Sequence, residues 1–116
     1  MTINWDDYDI YESADMPTDW VEVASIDSGG GYDWCTLRAF WSPAARRYFW
    51  ASGSGCSCDY WGMSLRSPAD FEDGDRDALR RAMREFASEH PWSVSATELV
   101  DALDKVARFT AERTNQ

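Results

Sequence analysis

The sequence predicts an α+β domain: a three-stranded antiparallel β-meander with two C-terminal helices packed on one face. Between residues 20 and 52, runs rich in aromatic and β-branched residues alternate with turn residues, which is typical of strands. Between residues 75 and 113, apolar residues recur at helical spacing. A chain of 116 residues can bury one core without disulfide bonds, so we expect a single domain over residues 1–116.

Residues 20–62 hold the predicted meander and a cysteine-containing turn. The first strand is expected at residues 20–27, WVEVASID, and the second at residues 32–41. Residues 42–45, Ser-Pro-Ala-Ala, form the turn before a third strand at residues 46–52, because proline is favoured at the second position of a type I turn. Strands joined by short connections pair with their neighbours, so the sheet is expected to be antiparallel.

The turn predicts a register that pairs Trp41 with Arg46. Side chains alternate between the two faces of a strand, so the core-forming face would carry Cys35, Leu37, Ala39, Trp41, Tyr48 and Trp50. The opposite face would carry Trp34, Thr36, Arg38, Phe40, Arg47 and Phe49. This second face is too aromatic to lie open to water, so the N-terminal segment or a partner must cover it, with Arg38 and Phe49 placed for a cation–π contact.

Residues 1–19 alternate acidic and apolar side chains. The apolar members are Ile3, Trp5, Tyr8, Ile10, Tyr11 and Met16. Such a segment can dock in a groove of another protein that is both apolar and basic. It can also lie as a strap over the protein's own sheet, which we favour because burying its aromatic rings within the chain avoids an exposed apolar patch.

Residues 67–113 are predicted to be mainly helical. Ser67-Pro68-Ala69-Asp70 is a helix-start signature with proline at the first helical position. An apolar stripe then predicts a helix over residues 75–89. Ser95 and Glu98 form a capping box ahead of a second stripe, so a second helix is expected to run to the end of this part.

The net charge of −10 is concentrated near the N-terminus. Residues 1–33 hold nine acidic groups and no Lys or Arg, whereas the remaining 12 acids face 11 basic residues. Because Lys and Arg supply non-specific nucleic-acid affinity, the chain is not expected to bind DNA or RNA directly. A protein with a basic surface is the favoured partner, and solubility alone is the alternative use of the charge. Arg76, Arg80 and Arg84 lie on one helical stripe, where they could pair with these acids.

The three cysteines are candidates for a metal site. The predicted register brings Cys35 close to the turn that carries Cys56 and Cys58, and thiolates at short spacing are ligands that zinc selects. His90 or Asp59 would complete the tetrahedron. Cys-x-Cys is a weaker zinc signal than Cys-x-x-Cys, so the alternative is that the cysteines are buried or form the turn, and no cofactor is then expected.

No catalytic motif supports an enzyme. Gly29-Gly30-Gly31 lacks the helix and lysine of a phosphate loop. A nucleophilic pair of Cys56 or Cys58 with His90 can be drawn, but the spacing does not require it. Asp59 follows the cysteines and would raise their pKa, which disfavours thiol chemistry. We therefore expect a non-enzymatic protein.

The expected location of the protein is the cytoplasm. No window approaches the roughly 18 apolar residues of a membrane span, and the start of the chain lacks the basic and apolar regions of a secretory signal. No membrane partner is therefore expected, and the sequence does not indicate an oligomeric state.

Two segments carry a resemblance to a known group of proteins. They are the acidic aromatic start at residues 5–12, WDDYDIYE, and the hairpin end at residues 46–62, RRYFWASGSGCSCDYWG. Together they resemble small uncharacterised proteins encoded by bacteriophages of actinobacteria, in which a hairpin ends in Ser-Gly-Cys-Ser-Cys, as residues 54–58 do here. Asp59 stands where the resemblance leads us to expect proline. The resemblance covers about the first half of the chain and implies a phage accessory protein in the host cell, with no particular activity.

These observations predict a phage-encoded, acidic protein that binds a host protein and blocks a basic nucleic-acid-binding surface, as an inhibitor in host takeover or anti-defence would. The expected contact residues belong to the acidic start and the second sheet face: Trp5, Asp6, Asp7, Tyr8, Asp9, Trp34, Phe40 and Phe49. The alternative is a zinc-stabilised structural or virion accessory module that uses Cys35, Cys56 and Cys58.

Overall fold

One antiparallel sheet and two helices form the fold, which confirms the predicted α+β class. The computed structural model describes residues 2–11, 14–30 and 33–111. The elements are β1 (Val21–Gly30), β2 (Asp33–Ser42), β3 (Arg47–Cys56), β4 (Glu72–Gly74), α1 (Arg76–Glu89) and α2 (Ala96–Arg108). The strands lie in the order β1-β2-β3-β4. Short 3₁₀ helices occupy Trp5–Tyr8 and Pro68–Asp70, the second of which carries a capping box.

The sheet has four strands rather than the predicted three. The sequence does not indicate β4, because Glu-Asp-Gly has little intrinsic tendency to form a strand. It forms by pairing with the outer edge of β3, where Phe49 lies opposite Asp73. Two side-chain contacts hold it there: Trp50 Nε1 donates to Glu72 at 3.0 Å, and Arg47 pairs with Asp73.

The pairing of β2 with β3 is shifted by two residues from the predicted register. Trp41 lies opposite Tyr48 and not opposite Arg46. Arg46 is instead the last loop residue, at the left-handed φ of 55°, and its N–H donates to the carbonyl oxygen of Ser42 at 2.8 Å. Because side chains alternate with a period of two, this shift leaves the two faces of the hairpin as predicted.

The first core lies between the sheet and the helices. α2 packs on β1, α1 packs on β3 and β4, and the two helices contact each other. The sheet contributes Ala24, Ile26, Cys35, Leu37, Ala39, Trp41, Tyr48 and Trp50, and the helices contribute Leu79, Met83, Phe86, Ala102 and Val106. Fully burying one of the larger aliphatic or aromatic side chains stabilises the fold by about 1.5–3 kcal/mol. The apolar faces predicted for the two helices therefore supply the residues that pack against the sheet.

The capping box predicted for the second helix is present. Ser95 Oγ accepts from the N–H of Glu98, and Glu98 Oε1 accepts from the N–H of Ser95, both at 3.1 Å. The helix ends at Arg108, earlier than predicted. It stops because Phe109 leaves the helix in extended geometry and packs its ring on Tyr48, with the ring centroids 6.0 Å apart. Residues 109–111 are not part of the α-helix, and residues 112–113, the end of the predicted helix, lie outside the described residues.

The N-terminal segment lies across the other face of the sheet, as the strap interpretation predicted. We call residues 2–11 and 14–19 the strap. The ring of Trp5 packs on Phe40 with their centroids 5.1 Å apart, and Trp5 Nε1 donates to the carbonyl oxygen of Pro17 at 2.6 Å. The second core formed in this way contains Trp5, Ile10, Trp20, Phe40, Leu65 and Phe71.

Candidate functional site

The aromatic rings predicted to bind a partner lie partly inside the second core. Trp5 is 9% exposed and Phe40 is 0% exposed, because the strap covers this face of the sheet. Phe49 is half-buried and stacks on Trp20 with their centroids 4.7 Å apart. The predicted contact surface is therefore corrected: Trp5 and Phe40 stabilise the fold and are not available to a partner.

Arg38 makes cation–π contacts with Tyr8 of the strap and with Trp61 of the loop after the cysteine turn, and not the predicted contact with Phe49. Its guanidinium carbon lies 5.4 Å from the ring centroid of Tyr8 and 5.5 Å from that of Trp61. The hydroxyl of Tyr8 donates to the carboxylate of Glu22. Burial and then this carboxylate raise the pKa of Tyr8 above its usual range. These contacts tie the strap to β1 and β2.

Three acidic residues predicted to bind a partner are exposed on the strap: Asp6, Asp7 and Asp9. Asn4 caps the 3₁₀ helix that carries the first two, since its Oδ1 accepts from the N–H of Asp6 at 3.2 Å. Asp9 ends that helix at the left-handed φ of 60°. The ion pairs found among the described residues are Arg38–Asp27, Arg47–Asp73 and Arg108–Asp104. The three strap carboxylates therefore pair with no base of the described chain.

Arg76 serves the first core and does not pair with the acidic segment. Its guanidinium donates to the hydroxyl of Tyr48 at 3.2 Å and to the carbonyl oxygen of Phe109 at 2.8 Å. It therefore joins the start of α1 to the end of α2. Arg80 and Arg84, which were expected to act with it, also make no ion pair within the part of the chain that the structure describes.

The structure separates the predicted metal ligands. Cys35 is buried in the first core, and burial raises the pKa of its thiol. Cys56 and Cys58 are exposed, with their sulfur atoms 2.6 Å apart. Across the described residues, the two sulfurs and a carboxylate oxygen of Asp59 form a group whose atoms lie within 4.8 Å of one another, and this group includes neither Cys35 nor His90.

Burial and position along the strands account for this separation, although the observed register brings Cys35 two residues closer to Cys56 than predicted. Cys35 lies opposite Ser54. Cys56 is two residues further along β3, on the same face of the strand, at the open end of the hairpin. His90 ends α1, where its N–H donates to the carbonyl oxygen of Ala87 at 3.2 Å. It lines an open cavity together with Cys35, and neither Cys56 nor Cys58 is in the wall of that cavity.

The Cys58 thiol is a poor nucleophile. A hydrogen bond with Cys56 and then the charge of Asp59 raise the pKa of the Cys58 thiol. Reactive cysteines need the opposite shift, which nearby positive charge or a helix N-terminus supplies. The geometry suits the binding of a soft metal ion better than covalent catalysis.

Trp34 lies across two glycines of β3. A Cβ on Gly53 would lie 3.4 Å from Trp34 Cη2, and a Cβ on Gly55 would lie 3.2 Å from Trp34 Cζ2 and 3.1 Å from the Cβ of Asp59. Trp34 Nε1 donates to the carbonyl oxygen of Cys56 at 3.0 Å. Alternate strand residues face the same side, and of these two glycines it is Gly55 that leaves the room the flat indole needs, because a Cβ on Gly53 would make only an ordinary contact. The ring is held in place and remains half-buried.

A cavity of about 540 Å³ lies beside β3 where β4 ends. β4 covers the edge of β3 only from Tyr48 to Trp50. Further along, the loop after the cysteine turn crosses that edge, and Trp61 Nε1 donates to the carbonyl oxygen of Ala51 at 3.0 Å. We call this space the β3-edge cavity, and its walls carry Trp34, Trp50, Tyr60, Trp61, Asp59, Asp70 and Glu72.

Sequence reasoning did not identify this cavity. The sequence predicts Trp34 as a contact residue and Asp59 as a possible metal ligand, but it does not indicate that they line one cavity. The signal in the sequence is faint: Asp-Tyr-Trp directly follows the cysteine turn. Glu72 joins the walls only because β4 pairs with β3, which the sequence does not indicate.

Comparisons with known proteins give one family. A family model for a domain of unknown function, DUF7574, matches residues 6–113. No curated protein and no solved structure matches the chain. Within the described residues, neither helix has the length and apolar character required to span a membrane.

Proposed function

This chain belongs to the DUF7574 family, a domain of unknown function, and we propose that it is a non-enzymatic protein that binds a partner through the exposed acids of its strap. The partner is a protein with a basic surface. In the phage setting that the sequence resemblance implies, it is a host protein, and the chain occupies the surface that this protein uses for nucleic acid.

One observation carries the proposal: the strap carboxylates stand on an anchored backbone and form no ion pair with the residues that the structure describes. Trp5 and Ile10, which flank them in sequence, are both buried. Asp6, Asp7 and Asp9 are exposed and form no ion pair within the described chain. Groups that are already ordered lose less conformational entropy on binding, so this surface is prepared for a complementary basic one.

Charge favours a basic protein over nucleic acid as the partner. The net charge of −10 repels a phosphate backbone. It attracts a basic surface over long range and speeds association at low ionic strength. Binding should therefore weaken as salt screens the charges.

The test compares two variants with the same change in charge. In the first, Asp6, Asp7 and Asp9 are replaced by Asn. In the matched control, three exposed acids of the helices become amides: Asp77→Asn, Glu85→Gln and Asp101→Asn. Each tagged protein is used to capture partners from lysate of the host. We expect the wild type and the control to retain the same protein and the strap variant to lose it. Equal retention by all three would contradict the proposal.

The thiol cluster favours a second candidate function, a metal-stabilised structural or accessory module. Cys56, Cys58 and Asp59 would supply two sulfurs and one oxygen, which are ligands of zinc. Elemental analysis of protein purified without chelator should then show about one equivalent of zinc. Cys56→Ser should abolish it, whereas Cys35→Ala should not. Less than about a tenth of an equivalent would count against this candidate.

A further inference from the structure

We propose that the β3-edge cavity binds an arginine or lysine side chain presented by the basic partner. The inference rests on the proposed function and names the chemistry of one contact within it. The cavity walls combine aromatic rings with carboxylates and contain no Lys, Arg or His. Aromatic faces attract cations through their quadrupole, and carboxylates add direct charge attraction.

Three rings of the cavity wall are not used to pack other rings. Among the described residues, Trp34, Trp50 and Tyr60 belong to no pair of contacting aromatic rings, whereas the rings of the second core are all paired. The two indoles are nevertheless fixed, because Trp34 Nε1 donates to Cys56 and Trp50 Nε1 donates to Glu72, each at 3.0 Å. Trp50 is buried in the first core, whereas Trp34 is half-buried and Tyr60 is 55% exposed, so Trp34 and Tyr60 offer the ring surface for cation–π binding.

The carboxylates of the wall differ in how far they are already engaged. Asp70 accepts two backbone N–H groups, at 2.8 and 3.2 Å. Glu72 accepts the indole N–H of Trp50. Asp59 accepts only a long hydrogen bond from the thiol of Cys56 among the described residues, at 3.9 Å to its Oδ2, and the sulfur of Cys58 lies within 4.8 Å. Asp59 is therefore the carboxylate with most capacity to pair with an incoming cation.

The cavity wall adjoins the acidic strap at Trp61, which favours a side chain of the same partner as its occupant. The ring of Trp61, in the cavity wall, lies 6.4 Å from the ring of Tyr8. Asp7 and Asp9 flank Tyr8 in the strap. Trp61 already lies 5.5 Å from the guanidinium of Arg38, so the incoming cation is assigned to Trp34, Tyr60 and Asp59 and not to this ring. A basic segment lying along the strap would reach the cavity with its next cationic side chain.

The test uses heteronuclear NMR of the tryptophan side chains, with chelator present to keep metal off the thiols. The probe is the peptide acetyl-Gly-Arg-Gly-amide, and its control replaces arginine by citrulline, which has nearly the same shape and no charge. The reporters are the Nε1–H groups of Trp34, Trp50 and Trp61. Trp92, which is 98% exposed and lies outside the cavity, is the internal reference.

We expect the arginine peptide to shift the three cavity indoles and to leave Trp92 in place, and the citrulline peptide to shift none of them. Asp59→Asn should weaken peptide binding about 3- to 10-fold, the loss of one ion pair next to aromatic faces. Glu72→Gln, which keeps an acceptor for the indole of Trp50, should weaken it as well. Equal shifts with citrulline, or none at roughly 10 mM arginine peptide, would overturn the proposal. Shifts with tetramethylammonium but with neither peptide would also overturn it, because the site would then bind a free small cation.

The strap variant separates this inference from the proposed function. It keeps every residue of the cavity, so it should bind the arginine peptide as the wild type does. If it loses the partner while the wild type shows no peptide binding, the cavity proposal fails alone. If it keeps the partner while the wild type binds the peptide, the proposed role of the strap acids fails alone.

Discussion

The carbonyl oxygen of Tyr8 lies against Gly62, at the point where a Cβ on residue 62 would be only 2.2 Å away from it. The same Cβ would lie 2.7 Å from Cγ1 of Ile10. The strap therefore passes directly over the backbone of the loop, and only glycine leaves room for it. The cover of the second core and the placement of the strap acids both depend on this close approach.

Gly62→Ala should destabilise the protein, because the strap backbone or the loop must move to admit the methyl group. We expect the free energy of unfolding to fall by about 1–3 kcal/mol, as measured by urea denaturation. Gly53→Ala is the control, since its Cβ would lie at an ordinary 3.4 Å from the ring of Trp34. The control should change stability by less than about 0.5 kcal/mol. Equal losses in both variants would contradict this account of Gly62.

Removing the ring that anchors the strap should be costly. Trp5→Ala deletes a buried indole and its hydrogen bond to Pro17, and we expect a loss of about 3–5 kcal/mol in the free energy of unfolding. Trp92→Ala removes the same side chain from a position that is 98% exposed, and should change it by less than about 0.5 kcal/mol. Thermal denaturation of the two variants side by side measures the difference. A small effect of Trp5→Ala would show that the second core adds little stability.

Stability should depend on the protonation of Tyr8. Burial and the carboxylate of Glu22 raise the pKa of Tyr8 in the folded state, so folding favours the neutral phenol. This contribution is full below the unfolded pKa of about 10 and is lost as pH rises through the higher folded pKa. The free energy of unfolding should therefore fall above about pH 10, and it should fall less in Tyr8→Phe. Parallel pH profiles for the two proteins, from denaturant titrations, would contradict the prediction.

The thiols should react in two classes. In reduced, native protein we expect Cys56 and Cys58 to be modified by a disulfide reagent, because both are exposed. Cys35 is buried and its pKa is raised, so it should react only after denaturant is added. Cys35→Ala should remove that second phase and leave the first unchanged. Modification of all three thiols at one rate in native protein would show that Cys35 is accessible.

The two faces of the hairpin could be predicted, although the register could not. Alternation places Leu37 and Trp50 on one face and Phe40 and Phe49 on the other in both the predicted and the observed pairing, because the two differ by an even number of residues. The conformation of Arg46 set the register, and a left-handed arginine in a loop has no clear sequence signal.

The candidate sites could be predicted only in part. The acidic character of the N-terminal segment could be predicted, because the distribution of charge along the chain can be read directly from the sequence. The β3-edge cavity was not, because its walls come from β2, β3, β4 and the loop before β4, which meet only in the folded sheet. The ligand set of the thiol cluster also depends on the folded structure, because Cys35 is buried in the first core whereas Cys56 and Cys58 are exposed together.

The sequence by itself determined the α+β class, the two helices with the capping box of the second, the faces of the hairpin and the acidic start. These follow from periodicity, capping and charge, which are local properties of neighbouring residues. Only the tertiary structure decided that Glu72–Gly74 joins the sheet, that the strap covers Phe40, and that Cys35 is buried away from Cys58. Each of these depends on contacts between segments far apart in the chain, whose packing free energies overrule local preference.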